Sequence, residues 1–242
     1  MKQFHKTFGY LALAIFSIHN SNITLGADAE TKAAPAKSVG LKFRPPPAGG
    51  APAVRVTGGS RGSGDAAVTL DVLAPDTIGI TTQEQPSLFW FQSKPAKAKF
   101  ELTVLEEKKV KPIVQVTIER AAKAGIQRLK LSDYNAKLTP GVEYQWVIAL
   151  VTDPDNRSTD LIASGAIKRI QPTADLTKQL SQSASESQAA AYADAGIWYD
   201  ALASLSDQIE ANPKDKSLRQ ARSELLKQVG LKAAAQYEAS AE

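Results

Sequence analysis

Residues 138–146 read Leu-Thr-Pro-Gly-Val-Glu-Tyr-Gln-Trp, and they form the most specific local pattern in this chain. Pro140-Gly141 is a turn signal, because proline fixes its own φ angle and glycine adopts positive φ readily. Tyr144 and Trp146 then begin an alternation of large apolar and smaller residues that continues to Leu150. This period of two predicts a strand with one apolar face. A buried tyrosine must satisfy its hydroxyl, so we expect Tyr144 to bond to the backbone upstream.

The turn and the tyrosine together resemble the tyrosine corner of immunoglobulin-like and fibronectin-like β-sandwiches. About seven strand candidates separated by turn signals have the spacing of such a sandwich. They are residues 68–72, 87–93, 100–104, 114–118, 126–131, 144–150 and 161–170. We therefore expect a β-sandwich domain over residues 66–171, preceded by a linker rich in Pro, Gly and Ala over residues 30–65.

The alternation is lost after residue 171, and Ala, Leu, Ser and Gln become frequent. One predicted helix begins near Leu176 and runs to about Ala195, and a second follows from Ile197 to Ile209. Asp215 is placed to cap a third helix that ends before Gly230. The sequence therefore predicts a helical domain of about three helices over residues 172–230 and a flexible tail over residues 231–242.

The helical segment also resembles a partial tetratricopeptide repeat. Five residues match positions that this repeat fills with aromatic, glycine, alanine or large apolar side chains: Tyr192, Gly196, Trp198, Ala201 and Leu205. Only about one and a half units are visible, whereas an independent solenoid needs about three. The alternative is a generic three-helix appendage that packs on the sandwich.

The N-terminus has the order of features of a secretory signal peptide. Lys2 and Lys6 precede an apolar run over residues 8–18, which is too short to span a bilayer. Small residues follow, and cleavage is expected after Ala27 or Ala29. The alternative is a buried N-terminal helix. We expect a signal peptide over residues 1–29 and an extracytoplasmic mature protein, either periplasmic or secreted.

Composition limits the chemistry of the mature chain. Cysteine is absent, and the two histidines, His5 and His19, fall within the predicted signal peptide. A thiol nucleophile, a disulfide, a histidine base and a His/Cys metal site are thereby excluded.

Cleavage after Ala27 removes two lysines and no acid, so the formal net charge falls from +4 to +2. Such a balance gives no electrostatic argument for nucleic acid, and no later segment is apolar enough to span a membrane.

A second resemblance covers nearly the whole mature chain. It is carried by residues 43–46, 58–62, 86–91, 138–146, 153–158 and 192–202. Together these segments resemble the uncharacterised bacterial family called domain of unknown function 928. Members of that family often carry a cysteine near each of two positions where this chain has Ser63-Gly64 and Val151-Thr152. The family has no assigned activity, so the resemblance implies architecture and not mechanism.

Two polar motifs invite a ligand-binding interpretation. The glycine-rich run at residues 58–62, with Arg61, lacks the Gly-Lys-Ser/Thr ending of a phosphate-binding P-loop and is interpreted as a turn. The run with Asp153, Asp155 and Arg157 resembles the start of a calcium loop. It has Ser158 and Ser164 where such a loop has glycine and glutamate. A polar turn between the last two strands is the preferred interpretation, with a weak surface calcium site as the alternative.

Paired carboxylates could support hydrolysis without histidine. The candidates are Glu101, Glu106, Glu107, Asp133, Asp153 and Asp155. None stands on a clearly apolar face, although a catalytic acid needs burial to raise its pKa.

Tyr199 and Asp200 are expected to form an exposed pair on a helix, because adjacent helical residues point about 100° apart. The alternative is that Trp198 and Tyr199 are held between the helices and the sandwich.

We therefore expect a non-catalytic extracytoplasmic interaction or scaffolding protein, without a cofactor, that binds a protein partner in the cell envelope. The alternative is a carbohydrate- or peptidoglycan-binding module that uses exposed aromatic residues, and a carboxylate-based hydrolase is the weaker alternative. The candidate partner-binding residues are Trp198, Tyr199, Asp200, Arg61 and Arg157.

Overall fold

The fold is given by a computed structural model, which describes residues 40–46, 55–59, 68–96, 99–119 and 123–240. The predicted signal peptide, most of the predicted linker and Arg61 lie outside the described residues. All described residues belong to one compact unit that spans Ser38–Glu242.

The described residues form nine strands in two sheets. The strands are β1 (Gly58–Gly59), β2 (Thr69–Val72), β3 (Gly79–Thr81), β4 (Ser87–Gln92), β5 (Lys99–Glu106), β6 (Val114–Ile118), β7 (Gly125–Lys130), β8 (Glu143–Val151) and β9 (Leu161–Arg169). The smaller sheet has the order β1-β2-β4-β7, and the larger sheet has the order β3-β9-β8-β5-β6. All pairs are antiparallel except β3 with β9. Seven of these strands, β2 and β4 to β9, lie at the predicted segments, and the short strands β1 and β3 raise the number to nine, above the seven predicted.

The two sheets pack face to face through the large side chains that the alternation predicts. Trp90 of β4 lies 5.8 Å from Phe100 of β5, measured between ring centroids. Trp146 of β8 is fully buried, as is Trp90, so both tryptophans belong to the core. Strand β4 is buried along its whole length, because Phe89 and Phe91 on its other face are covered as well.

The predicted tyrosine corner is present. The Thr139 backbone N–H donates to the Tyr144 hydroxyl over 3.1 Å. Gly141 has a φ of 81°, a conformation that glycine adopts without steric cost. Its N–H donates to the Arg169 carbonyl over 2.8 Å, which joins the turn to the end of β9.

Five helices follow the strands in this part of the chain, more than the three that the sequence predicts. They are α1 (Ala174–Gln182), α2 (Ser185–Asp194), α3 (Trp198–Ala211), α4 (Lys216–Gln228) and α5 (Lys232–Ser240). The first predicted helix is broken at Ser183, which leaves the helical region with extended backbone. Asp215 caps α4 as predicted, and its carboxylate accepts from the Ser217 N–H over 2.9 Å.

The prediction of a flexible tail over residues 231–242 is wrong for most of that segment. Helix α5 buries Ala234 and Ala235 completely. Its Glu238 is also buried and accepts from Arg222 of α4, with distances of 2.8 Å to Nε and 2.7 Å to Nη2. Arg222 Nη1 in turn donates to the Ser206 hydroxyl over 3.0 Å. This buried ion pair joins α3, α4 and α5.

The helices and the sandwich share one hydrophobic core. The Phe91 ring on β4 packs against Tyr237 of α5, with 5.6 Å between ring centroids. Gly125 of β7 makes room for the same tyrosine, because a Cβ there would lie 2.7 Å from Tyr237 Cε1. The boundary predicted at residues 171/172 therefore does not separate two independent cores. Within the described ranges, no helix is long and apolar enough to cross a membrane.

Candidate functional site

Trp198, the first residue of α3, is buried between the helices and the strands. Its Nε1–H donates to the Leu73 carbonyl over 2.8 Å. Its ring meets the edge of Phe43 at a centroid distance of 5.0 Å. Both the polar and the apolar parts of this side chain are therefore used inside the protein.

Tyr199 is buried at the open edge of the sandwich. Its hydroxyl accepts from Trp146 Nε1 over 2.8 Å and donates to the Ala166 carbonyl over 3.0 Å. Gly79 lies against its ring, and a Cβ at that position would approach Tyr199 Cε2 to 2.5 Å. Burial raises the pKa of the Tyr199 phenol, which favours its neutral form. The side chain therefore joins α3 to β3, β8 and β9.

Asp200 is buried next to Tyr199 on the same helix. Its carboxylate accepts from the Thr82 N–H over 2.9 Å and from the hydroxyls of Thr81 and Thr82. Burial raises the pKa of this carboxyl, and the threonine hydrogen bonds only partly offset that shift. The prediction that Tyr199 and Asp200 form an exposed pair is wrong, because α3 is covered by strands on one side and by helices on the other. The alternative, in which Trp198 and Tyr199 are held between helices and sandwich, is confirmed.

Arg157 remains on the surface, in the turn between β8 and β9. Its guanidinium contacts Glu101 and Asp160, each at 2.7 Å, and these carboxylates raise its pKa. In the same turn, the Asp153 carboxylate accepts from the Asp155 N–H over 3.0 Å. The described residues contain no group of three or more His, Cys, Asp or Glu that could hold a metal ion. Arg157 therefore joins this turn to Glu101 of β5, and its guanidinium is used inside the protein.

A polar cleft of about 810 Å³ opens between the smaller sheet and the helices. We define it by its lining residues, which come from the β3–β4 loop, the ends of β4 and β7, and helices α2 to α4. They are Gln83, Gln85, Pro86, Ser87, Arg128, Lys130, Ser132, Ser185, Glu186, Gln188, Tyr192, Asp200, Ala203, Ser204, Asp207, Gln208, Ala211, Asn212, Asp215 and Leu218. Asp200 thus belongs to the wall of this cleft.

Intramolecular bonds fix one wall of the polar cleft. Arg128 of β7 donates from Nε to the Ser87 hydroxyl over 2.9 Å, and its Nη1 contacts Asp207 and Glu210 of α3. The guanidinium also lies 5.3 Å above the Phe89 ring centroid. Gln208 donates to the Ser185 carbonyl over 3.0 Å and so joins α2 to α3. These contacts fix the positions of β4, β7, α2 and α3 relative to one another around the cleft.

Other lining side chains are available to a ligand. Gln85, Gln188, Lys130 and Glu186 line the cleft, and none has a side-chain hydrogen bond or ion pair to another residue that the structure describes. They lie on three separate segments: the β3–β4 loop, β7 and α2. The cleft therefore presents both donors and acceptors that the fold itself does not use.

The hydrolase alternative needs a buried carboxylate pair. Among the acids of the cleft lining, Asp200 is buried, whereas Glu186, Asp207 and Asp215 are exposed. The two oxygens of Asp200 already accept hydrogen bonds from Thr81 and Thr82. A second buried acid beside Asp200 is missing from the lining residues that the structure describes.

Sequence reasoning missed the polar cleft. Its residues lie in segments up to 135 positions apart, from Gln83 to Leu218, and no local spacing connects them. The available signal was the enrichment in Ser and Gln after residue 171, which places polar side chains on both α2 and α3.

Replacement of Asp200 by asparagine is expected to change how stability depends on pH. The folded protein raises the pKa of Asp200 above its ordinary value of 3.8. At pH values between the ordinary pKa of the unfolded state and the raised pKa of the folded state, the folded state binds more protons than the unfolded state. The free energy of unfolding therefore falls as pH rises through this interval. Asp200→Asn removes this term, and its stability relative to the wild type should rise across that interval. Urea unfolding from pH 4 upwards measures it.

The control for this experiment is Asp175→Asn, which removes an exposed acid from the first turn of α1. This variant should keep the pH dependence of the wild type. A constant difference between Asp200→Asn and the wild type at every pH would show that Asp200 is not buried as described.

Comparison with known families agrees with the second resemblance. The family model described as Domain of Unknown Function (DUF928) matches residues 56–239, and the chain therefore belongs to that family. The match includes all the described strands and helices, from two residues before β1 to the next-to-last residue of α5. A search of curated proteins finds no match to the chain.

Proposed function

We propose that this member of the DUF928 family is a non-catalytic binding protein that acts outside the cytoplasm and holds its partner in the polar cleft. The cleft carries this proposal. Its volume of about 810 Å³ falls within the usual range of ligand sites, about 300–1,000 Å³. Its unused groups, among them Gln85 and Gln188, offer hydrogen bonds to a partner.

The fixed walls favour binding. Arg128 and Asp200 are both held by hydrogen bonds to other parts of the fold, so the cleft exists before a partner arrives. A preformed site costs less conformational entropy on binding than a mobile one. Trp198 and Tyr199 were expected from the sequence to contact the partner. Both are buried, and they position α3.

The extracytoplasmic location rests on the predicted signal peptide. We expect the mature chain to begin at Asp28 or Glu30, after cleavage at Ala27 or Ala29. Cell fractionation followed by intact-mass measurement tests both the compartment and the cleavage site. A cytoplasmic protein that retains Met1 and residues 2–27 would contradict the proposal.

We also propose an immunoglobulin-like arrangement for the strands and a tetratricopeptide-like one for the helices. The antiparallel order β9-β8-β5-β6 in the larger sheet, packed on the antiparallel smaller sheet, supports the first. The tyrosine corner at Tyr144 supports it too. Two consecutive pairs of helices that pack against each other, α2 with α3 and α4 with α5, support the second.

Capture from solubilised envelope fractions tests the binding role. The mature protein is immobilised beside the double variant Gln85→Ala/Gln188→Ala, which changes two unused groups of the cleft. The matched control is Gln115→Ala/Gln145→Ala, at exposed positions of β6 and β8 outside the cleft lining. We expect a component that binds the wild type and the control but not the cleft variant. Equal capture by all three, or no capture, would contradict the proposal.

The non-catalytic part of the proposal has a separate test. The protein is incubated with purified peptidoglycan, and soluble fragments are measured. We expect no release above that of a buffer blank. Release that is lost in Asp200→Asn would instead favour the hydrolase alternative, because Asp200 is the buried acid of the cleft wall.

A further inference from the structure

We infer that the polar cleft binds a neutral, hydroxyl-rich oligosaccharide. This inference rests on the proposed function, namely that the cleft is the binding site, and it names the chemical class of the ligand. Three properties of the lining carry it: the type of hydrogen-bonding groups, the sign of the charge and the absence of apolar anchor pockets among the described lining residues.

The hydrogen-bonding groups of the lining match sugar hydroxyls. Five carboxamides line the cleft: Gln83, Gln85, Gln188, Gln208 and Asn212. Four serines add hydroxyl groups: Ser87, Ser132, Ser185 and Ser204. A carboxamide offers a donor NH₂ beside an acceptor oxygen, and a hydroxyl both donates and accepts. The hydroxyls on a sugar ring also both donate and accept, so each can form a hydrogen bond with the lining either as donor or as acceptor.

The charge of the lining disfavours an anionic ligand. Four acids line the cleft, namely Glu186, Asp200, Asp207 and Asp215, against two cations, Arg128 and Lys130. Arg128 is already engaged by Asp207 and Glu210. A phosphorylated or sulfated ligand would therefore meet one available cation, Lys130, among predominantly acidic neighbours in the lining that the structure describes.

The lining also disfavours a peptide. Peptide sites use apolar pockets for anchor side chains or pair the peptide with a strand edge. The apolar members of this lining are Pro86, Ala203, Ala211 and Leu218. Three of the four are proline or alanine, so they provide flat surface and not a deep pocket. Tyr192, whose pKa is raised by burial and by the charge of Asp200, is half-buried and adds the aromatic ring of this lining.

Isothermal titration tests the inference with defined probes. The mature protein is titrated with the neutral oligosaccharides tetra-N-acetylchitotetraose, cellotetraose, maltotetraose and xylotetraose, with a heparin tetrasaccharide, and with a pool of polar peptides. We expect at least one neutral tetrasaccharide to bind. Gln85→Ala/Gln188→Ala should weaken this binding by about tenfold or more, because two hydrogen bonds are lost. Gln115→Ala/Gln145→Ala should bind like the wild type.

Salt dependence gives a second readout. Binding of a neutral ligand should change by less than about twofold when NaCl is raised from about 0.05 M to about 0.5 M, since no charge pairing is screened. If the double variant melts below the wild type, Gln188→Ala alone replaces it, because the half-buried Gln188 has no side-chain partner in the described residues.

The outcomes separate this inference from the proposed function. Binding of the peptide pool or of heparin that depends on Gln85 and Gln188, without binding of a neutral tetrasaccharide, overturns the inference and leaves the proposed function standing. Neutral oligosaccharide binding that is unchanged in the cleft variants places the sugar elsewhere and also overturns it. If no probe binds and the envelope component is captured equally by wild type and cleft variant, both fail.

Discussion

Replacing Trp198 with alanine is expected to lower the free energy of unfolding by about 3–5 kcal/mol, the usual cost of deleting a fully buried aromatic side chain. The side chain has no solvent exposure and contacts Phe43. Its loss also leaves the Leu73 carbonyl without its 2.8 Å hydrogen bond. Urea unfolding measures the effect when it is followed by far-ultraviolet circular dichroism, to which the helices contribute most, and by the fluorescence of Trp90 and Trp146 in the strands.

Because strands and helices share one core, both signals should shift together. The control is Tyr134→Ala, which removes an aromatic ring that is 40% exposed and should cost less than about 1 kcal/mol. A Trp198→Ala protein that unfolds within about 1 kcal/mol of the wild type would contradict the described packing of α3. Separate transitions for strands and helices would contradict the shared core.

Replacing Arg222 with methionine is expected to destabilise the protein by about 3 kcal/mol, because it removes the two close contacts of the buried Glu238 carboxylate and leaves it only the longer contact of 3.9 Å to Arg219 Nη1. The two side chains meet through two contacts, of 2.7 Å and 2.8 Å, and both are almost completely buried. The double variant Arg222→Met/Glu238→Met should recover most of the loss, since a buried ion pair and a well-packed apolar pair often have similar stability.

The control for this cycle lies on the same helix. Lys227→Met breaks the exposed ion pair with Glu224, whose charged atoms are 2.8 Å apart, and should cost about 1 kcal/mol or less. Thermal and urea unfolding of the four proteins give the comparison. A double variant no more stable than Arg222→Met would mean that Glu238 does not require its partner, and that α5 is not docked as described.

The strands were predictable where the side chains alternate. Strand β8 shows why: its inward residues from Tyr144 to Leu150 are large, and its outward residues are smaller or polar, so the period of two is clear. Strand β3 has only three residues, Gly79–Thr81, and lies parallel to β9. Three residues are too few to establish a period, and a parallel partner more than 80 positions away leaves no local signal.

The helices were predictable where a stripe of leucine or isoleucine marks the buried face. Helix α5 has no such stripe, because alanines form its buried surface and Glu238 is buried through its ion pair. The prediction failed for Tyr199 and Asp200 for another reason. A single apolar stripe was assumed for α3, but this helix is covered on two sides, so residues about 100° apart around its axis can both be buried. The threonines that stabilise buried Asp200 stand about 118 positions earlier in the chain.

The contact between Phe91 and Tyr237 has a consequence for biogenesis. The smaller sheet is covered on its outer face by the last helix of the fold, so β4 cannot reach its final environment until almost the entire polypeptide is present. A ribosome-bound or partly translocated chain would hold Phe89 and Phe91 without their cover, and pairings of such long sequence separation form slowly. Delayed closure of this kind keeps the nascent chain from completing its core until its C-terminus is released.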